Sequence, residues 1–273
     1  MKGTTNFTAD DTEVKNMSGG IYMAASGALA YEKRLQIISN NLANANTIGY
    51  KMDHGQFQSI DPANLPASFV PNSPELSTSQ AQSFWFQFSS YTDFSNGSLK
   101  NTANDFDLAL IGNGFFCVQK PDGVHYTRKG NFTLNAEGVL VTGNGHPVLG
   151  DGGEITVKGT EDPHQFKKFA VDEEGNVSVD GKQVGSLRIV DFSEPDKLMK
   201  MGDSLFKPAE NSPSPKEAED FKVSQGFVEL SNVNIVKMMT EMIETLRGYE
   251  SYQKVIRSAD EATARSINEV GKV

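Results

Sequence analysis

The sequence IYMAASGALAYEKRLQIISNNLANA, residues 21–45, decides the fold class of the chain. Its small or apolar positions recur at alternating intervals of three and four residues, which places them along one face of an α-helix. These positions are Ile21, Ala24, Ala28, Tyr31, Leu35, Ile38, Leu42 and Ala45. The opposite face is polar, so the pattern predicts a long helix that packs its narrow apolar stripe against another helix. Alone, such a helix has too little apolar surface to be firmly stable in water.

The last fifty residues carry a similar stripe. It consists of Ile235, Met239, Met242, Leu246, Tyr249, Tyr252, Ile256 and Ala259. The stripe predicts a second long helix that begins near residues 231–234, and Gly248 inside it is expected to weaken the helix by about 1 kcal/mol relative to Ala. Neither helix has a partner fixed within the chain, so we expect neighbouring subunits to cover the two stripes. A helical hairpin within one chain is the alternative.

Between these ends, short apolar runs alternate with turn residues. Examples are the runs at 108–111, 115–119, 132–134, 155–157 and 169–171, with a strong turn signal at 120–123. Such spacing is typical of a compact antiparallel sandwich or barrel. The predicted fold class is therefore α+β, with long N- and C-terminal helices that form a coiled-coil-like pair and flank a mostly antiparallel β-sandwich or barrel.

The sequence predicts five segments. They are a polar disordered extension at 1–17, an N-terminal helix and turn at 18–60, an extended Pro-rich connector with strands at 61–105, a β-rich middle domain at 106–224, and a C-terminal helix at 225–273 that packs with the N-terminal helix. The first segment lacks the continuous apolar stretch of a secretory signal peptide. Met17 is a candidate for the functional start.

Composition excludes several classes of partner. A net charge of -10 and a pI near 4.9 argue against nucleic acid or an anionic membrane as the main partner. No window approaches the roughly 18 apolar residues that span a bilayer, so no direct membrane insertion is expected. The single cysteine, Cys117, cannot form a disulfide within the chain and lies in an apolar run, where a buried inert thiol is expected.

No pattern of catalytic or ligand-binding residues is present in the sequence. The four histidines have neither HExxH nor i,i+4 spacing, and the acidic loop at 172–176 lacks the Gly and Glu of an EF-hand. We therefore predict no catalytic residue, no metal site and no cofactor, and we do not expect an enzyme. A carbohydrate-binding or carbohydrate-acting β protein with a helical dimerisation stalk remains open, because paired carboxylates are common in acidic β proteins.

Three stretches together resemble the bacterial flagellar axial family of rod and hook proteins. They are the N-terminal stretch at 21–51 with SNNLAN and GYK, the middle stretch DLALIGNGFF at 107–116 with YTRKGNF and GHPVLG after it, and the C-terminal stretch at 225–261 with QG, SNVN and ADE. Within the family the chain looks most like the proximal-rod subunit, because of its Gly20-Ile21-Tyr22 start, its length from Met17 and the GHPVLG run. A distal-rod or hook-type axial subunit is the alternative.

The resemblance implies a structural subunit of the basal-body rod, part of the drive shaft, which spans the periplasm. Such a subunit polymerises through its terminal helices with copies of itself and other rod subunits into a helical tube, and it passes the flagellar export apparatus without a cleaved signal peptide. The expected assembly residues are Ile21, Ala28, Leu35, Ile38, Asn40, Asn41, Leu42, Asn44, Asn232, Asn234, Ile235, Met239, Met242, Leu246, Tyr249 and Ile256. For the asparagines, simple capping and turn formation is the alternative role.

Overall fold

The computed structural model describes residues 9–60, 85–157, 168–210 and 212–270 of the 273-residue chain. Four predicted segments fall partly outside this range. Outside the described residues lie 1–8 of the predicted extension, 61–84 of the predicted Pro-rich connector, 158–167 and 211 of the predicted β-rich domain, and 271–273 of the predicted C-terminal segment.

Two long helices occupy the ends of the described chain, as the stripes predict. Helix α1 spans Ala9–Ala43 and helix α2 spans Ile235–Val270. Helix α1 begins well before Ile21, inside the segment for which the sequence predicts disorder, so that prediction is wrong for residues 9–17. Adding residues to an existing helix costs little, because each one brings a further backbone hydrogen bond.

The rest of the described chain consists mainly of short strands. In chain order these are β1 Asp53–Ile60, β2 Trp85–Thr92, β3 Leu99–Asn101, β4 Leu108–Gly112, β5 Phe115–Lys120, β6 Gly123–Thr127, β7 Phe132–Leu134, β8 Leu140–Thr142, β9 Leu149–Gly150 and β10 Gly153–Glu154. They continue with β11 Phe169–Val171, β12 Asn176–Val179, β13 Lys182–Ser186, β14 Ile189–Asp191, β15 Leu198–Lys200, β16 Leu205–Pro208, β17 Lys216–Glu217, β18 Phe221–Gln225 and β19 Phe227–Glu229. A short 3-10 helix, Pro195–Lys197, precedes β15.

The chain forms two compact units. The first contains α1 up to Asn40, the paired strands β1 and β2, and α2 from Val236 onward. The second contains residues 41–52 and residues 92–235, which include nearly all of the strands.

The second unit is built from antiparallel strand pairs. Its largest sheet has six strands in the order β15-β16-β6-β5-β14-β17, and strands β11, β12 and β13 form a three-stranded sheet. Strands β4 and β18 pair over five residues, from Leu108↔Gln225 to Gly112↔Phe221. Among the described strands, β15 and β17 end the six-stranded sheet without pairing with each other, so the sheet is not a closed barrel.

Strand β5 lies between two hydrophobic clusters. Neighbouring side chains of a strand point to opposite faces of the sheet. Accordingly Phe116 belongs to a large cluster with Leu108, Leu140 and others, whereas Phe115 and Cys117 belong to a second cluster that includes Phe206. Both faces of β5 are therefore buried over residues 115–118, which explains why this part of the strand is a continuous apolar run with no polar alternation.

Several strand predictions match closely and one does not. The predicted strands 132–134 and 169–171 have the observed bounds of β7 and β11. The predicted strand 155–157 is absent among the described residues, although Ile155 and Val157 are both buried. An isolated bridge joins Thr156 to Val139, but no continuous strand pairing forms there. The apolar pattern at 155–157 therefore correctly indicates buried side chains but not a β-strand.

Candidate assembly surfaces

In the first unit, α1 and α2 contact each other through two glycine–tyrosine pairs. A Cβ atom placed on Gly27 would lie 2.5 Å from Cε1 of Tyr252, and one placed on Gly248 would overlap the ring of Tyr31. The two tyrosine rings are themselves 5.5 Å apart. Each glycine therefore leaves room for a ring from the other helix. Glycine has a low helix propensity, so Gly248 weakens the helix that contains it. The packing explains why glycine is nevertheless present, because a larger residue would leave no room for the Tyr31 ring.

Aromatic residues connect strands β1 and β2 to the same region of α1. The ring of Phe57 lies 5.6 Å from Tyr31 and 5.5 Å from Phe88. The guanidinium of Arg34 lies 6.0 Å from the Phe57 ring, at the outer limit for a cation–π contact. The helix pair and the two strands thus share one aromatic cluster.

The buried face of α2 differs from the predicted stripe. Met238 and Thr245 are its most deeply buried residues, each 2% exposed, and they lie seven residues apart. The Thr245 hydroxyl donates a 2.6 Å hydrogen bond to the carbonyl oxygen of Glu241, so the helix itself satisfies this polar group. The face continues through residues at alternating spacings of four and three. These are Met242, Tyr249, Tyr252, Ile256, Ala259 and Thr263, all partly buried.

Another face of α2, roughly 120° around the helix from the buried one, carries a second apolar series, here called the outward stripe. It consists of Val236, Met239, Ile243 and Leu246, spaced by three, four and three residues. These side chains are between 40% and 75% exposed. Four large apolar side chains in a row on one helix face are unusual for a surface that stays in water, and such patches typically mark interaction sites.

The predicted stripe residues therefore lie in different environments. On α1, Ile38 is buried, and Ile21, Ala28, Leu35 and Leu42 are partly buried. On α2, Ile235, Met239 and Leu246 are exposed, whereas Met242, Tyr249 and Ile256 are partly buried. The expectation that both stripes stay uncovered within one chain is thus wrong for Ala24 and Ile38, because the chain itself buries these two side chains.

In the second unit, residues 41–52 form a segment that we call the strap. The Tyr50 hydroxyl donates to Oδ1 of the buried Asn41 at 3.0 Å, and the Thr47 hydroxyl donates to Oδ1 of Asn44 at 3.1 Å. Gly49 adopts a φ of 65°, and the backbone of Lys129 occupies the space next to its Cα. The asparagines of the strap thus organise the turn after α1, which is the alternative role left open for them.

A buried ion pair joins the strap to the end of β19. The Lys51 ammonium donates to Oε1 of Glu229 at 2.7 Å and to the carbonyl oxygen of Ser95 at 2.7 Å. Both charged side chains are only 1% exposed. A second cation, Arg128, places its guanidinium 3.6 Å from the other carboxylate oxygen, Oε2. Burial lowers the pKa of Lys51, and the attraction to Glu229 opposes that shift.

Asn232 completes this connection. Its Oδ1 accepts a hydrogen bond from the backbone N–H of Met52 at 2.8 Å, and its Nδ2 donates to the carbonyl oxygen of Asp93 at 2.8 Å. Three segments that are distant in sequence thus meet at one amide side chain. Asn234 and Asn40, the other two predicted asparagines, are exposed.

The sequence patterns missed the cluster of Lys51, Arg128 and Glu229. The two ion-pair partners are 178 residues apart, and no spacing rule connects residues over that distance. One signal was available, since each of the three residues lies within one of the stretches that carry the family resemblance.

Other predicted chemistry can be located within the described residues. No group of three or more His, Cys, Asp or Glu side chains there could hold a metal ion. No helix in that part of the chain is long and apolar enough to cross a membrane. Cys117 is buried, and burial raises the pKa of its thiol to about 12.

Comparison with known proteins agrees with this architecture. Three family models match: the flagella basal body rod protein model over residues 21–51, the flagellar hook protein FlgE/F/G D1 domain over 109–179, and the flagellar basal body rod FlgEFG protein C-terminal model over 224–269. The flagellar basal-body rod protein FlgF of Caulobacter vibrioides is 34% identical over 260 residues, which cover 94% of this chain and 100% of the relative. The rod protein FlgG of Bacillus subtilis is 32% identical over 269 residues, covering 92% and 99%. The hook-basal body complex protein FlhO of the same organism is 33% identical, covering 94% and 100%.

A long helix at each end of the described chain and a mostly antiparallel β-rich middle of the sequence, together with these matches, define an axial protein of the bacterial flagellum. Within that class, the chain belongs to the family of flagellar basal-body rod proteins. It is a structural subunit of the rod, a component of the flagellar basal body.

Proposed function

We propose that the chain is a proximal-rod subunit that polymerises through its terminal helices, with copies of itself and with other rod subunits, into a helical tube. Its relatives support this assignment, because proteins named FlgF and FlgG match it at similar identity and over nearly their whole length. Head-to-tail contacts that do not close into a ring produce such a tube. A distal-rod or hook-type subunit of the same family is the alternative.

The outward stripe of α2 is the observation that carries the proposal. Fully burying a Val, Leu, Ile or Met side chain stabilises by about 1.5–3 kcal/mol, and the four side chains of the stripe are already partly covered. We therefore expect roughly half of that value from each side chain when a second copy of the chain covers the stripe. A sum of several kcal/mol is comparable to the low end of the association cost, about 4–15 kcal/mol. Contacts by other parts of the chain would then give the assembly its net stability.

The same proposal assigns roles to the remaining predicted residues. The exposed residues Ile235, Met239 and Leu246 make the contacts between subunits, whereas Ile38 acts within its own chain. We further propose that α1 and α2 form a coiled-coil-like pair in the filament, which the two glycine–tyrosine contacts support. A sandwich arrangement of the strands is supported by the two hydrophobic clusters on either side of β5.

The proposal also covers localisation, export and the absence of catalysis. The subunit is placed in the part of the basal body that spans the periplasm, and it passes the flagellar export apparatus unfolded and without signal cleavage. The single cysteine supports passage through such a channel, because no disulfide within the chain could resist unfolding. The subunit acts as a building block and carries out no reaction.

Two matched substitutions on α2 test the interface. Ile243 lies in the outward stripe, and Val255 lies about 120° away around the helix, at 100° per residue. Both side chains are 54% exposed, so replacing either with Asp should affect the isolated chain equally. Each variant is expressed in cells that lack their own copy of the gene, and rod incorporation and swimming are measured.

We expect Ile243→Asp to abolish incorporation, because a carboxylate would have to be desolvated at the contact. Val255→Asp should retain at least roughly half of wild-type incorporation. Circular dichroism of both purified variants should match the wild-type protein. Normal rods with Ile243→Asp, or equal loss with both variants, would show that the outward stripe is not the interface.

A further inference from the structure

The strap differs from the rest of the second unit in the kind of contact that holds it. Within the described residues, neither hydrophobic cluster includes a strap residue, although the clusters draw on strands from β4 to β18. Since hydrophobic burial supplies most of the folding free energy, the β core does not need the strap in order to fold. The strap is therefore a candidate for a separately opening part of the unit.

Polar contacts hold the strap in place along its length. The backbone N–H of Gly49 donates to the carbonyl oxygen of Glu229 at 2.8 Å, and Lys51 makes the ion pair described above. On the other side, Lys200 Nζ donates to the carbonyl oxygen of Lys51 at 2.6 Å, and the Ser204 hydroxyl donates to that of Ile48 at 3.3 Å. Most of these bonds join the strap to residues from the last third of the chain.

The Glu229 carboxylate is central to this network. Its Oε1 accepts hydrogen bonds from both Lys51 Nζ and the backbone N–H of Gly97, the latter at 2.8 Å. Removing one partner of a buried ion pair leaves the other charge uncompensated in a site that excludes water. The closed strap therefore depends on Glu229 more than on any single exposed contact.

We propose that the strap is a conformational latch, which opens and closes as one unit while the β core stays folded, and in which the Lys51–Glu229 ion pair holds the closed state. Because Glu229 and Asn232 come late in the chain, the strap closes only after the C-terminal segment 229–232 is in place. The order of folding is then fixed by the connectivity, since a loop of 178 residues must be closed to form the ion pair. This inference goes beyond rod assembly and does not depend on it.

Native-state hydrogen exchange of the full-length wild-type chain tests the latch without any substitution. The backbone N–H groups of Gly49, Met52 and Gly97 donate to Glu229 or Asn232 and report on the closed strap, so we call them the latch amides. The N–H groups of Leu140 and Val148 donate to carbonyl oxygens within the β core. We expect the three latch amides to exchange at least about tenfold faster than the core amides, with a common and smaller dependence on denaturant. Equal rates and equal denaturant slopes for both sets would overturn the proposal.

A pair of Glu→Gln variants provides the second test. Glu229→Gln removes the buried charge, and Glu173→Gln is the control, since Glu173 makes an ion pair of the same 2.7 Å length with Lys222 on the surface. We expect Glu229→Gln to accelerate exchange at Gly49 and Met52 by about 30-fold or more, with Leu140 changed by less than about threefold. Glu173→Gln should leave both sets unchanged.

Three outcomes of this second test would refute the latch. They are unchanged exchange at Gly49 in Glu229→Gln, equal acceleration of the latch and core amides, and failure of Glu229→Gln to fold. The last two would mean that the strap and the core form a single cooperative unit.

Discussion

Replacing Gly248 with Ala would test whether the two glycine–tyrosine contacts define the packing of α1 against α2. Alanine favours a helix interior over glycine by about 1 kcal/mol, so the change should stabilise an isolated helix. In this chain the new methyl group would meet the ring of Tyr31, and two of the ring atoms, Cδ1 and Cζ, would lie 2.8 Å from it. The two effects oppose each other, and their difference decides the sign.

The size of the steric effect follows from the geometry. Carbon atoms in favourable contact are about 3.5–4.0 Å apart, and the nearest ring atom, Cε1, lies closer than Cδ1 and Cζ, so the ring must retreat by roughly 1.5 Å. The ring cannot do so freely, because it also contacts Phe57 and Tyr252. Overpacking of this kind costs about 1–3 kcal/mol, and a shift of this size belongs in the upper half of that range. After the gain in helix propensity, we expect a net loss of roughly 1–2 kcal/mol.

Urea unfolding followed by circular dichroism at the helical band measures the change, because the two helices contribute most of that signal. The matched experiment repeats Gly248→Ala in a Tyr31→Ala background, where the obstructing ring is gone. There the same substitution should stabilise by about 1 kcal/mol, so its sign should reverse. A stabilising effect of Gly248→Ala in the wild-type chain, or the same effect in both backgrounds, would refute the packing argument.

Two further predictions concern the second unit. Gly49→Ala should destabilise the closed strap by roughly 2–5 kcal/mol, measured from hydrogen exchange at the Met52 amide, because Gly49 has a φ of 65° and its Cβ would lie 2.6 Å from Cα of Lys129. Gly181→Ala, with a φ of 80° but nothing within 4 Å, should leave exchange at Met52 unchanged and cost only about 1 kcal/mol in urea unfolding, and equal acceleration at Met52 in both variants would contradict the steric argument. The pKa of the Cys117 thiol rises from 9.0 to about 12 in the folded chain, so between these pH values the unfolded chain binds fewer protons and stability falls as pH rises. Relative to Cys117→Ala, the wild-type protein should therefore lose up to about 4 kcal/mol between pH 9 and 12, and parallel stability curves would show that the thiol is not buried.

Sequence patterns were most reliable where local chemistry alone decides the structure. Strands β7 and β11 have the predicted bounds because short apolar runs between turn residues leave few other arrangements. The long terminal helices also follow from their apolar periodicity. The start of α1 could not be predicted in the same way, since residues 9–17 have no apolar stripe and the backbone continues the helix nevertheless.

The predicted assembly residues show where periodicity stops being informative. On α2 the sequence offers two apolar series on different faces, and the predicted stripe includes Met239 and Leu246. The structure instead buries Met238 and Thr245, and the threonine hydroxyl is satisfied by a hydrogen bond within its own helix. The Lys51–Glu229 ion pair could not be predicted for a different reason. Its two residues are 178 positions apart, and only the folded chain brings them together.

The reciprocal contacts of Gly27 with Tyr252 and of Gly248 with Tyr31 restrict how this gene can change in length. Inserting or deleting one residue between Gly27 and Tyr31 would rotate one member of a pair by about 100° while the other stayed in place. The tyrosine ring of that pair would then contact a side chain of the other helix, whereas it now packs against a glycine. We expect length variation among related sequences to avoid both four-residue intervals and to occur at surface turns such as the one at Gly145, where nothing lies within 4 Å of an added side chain.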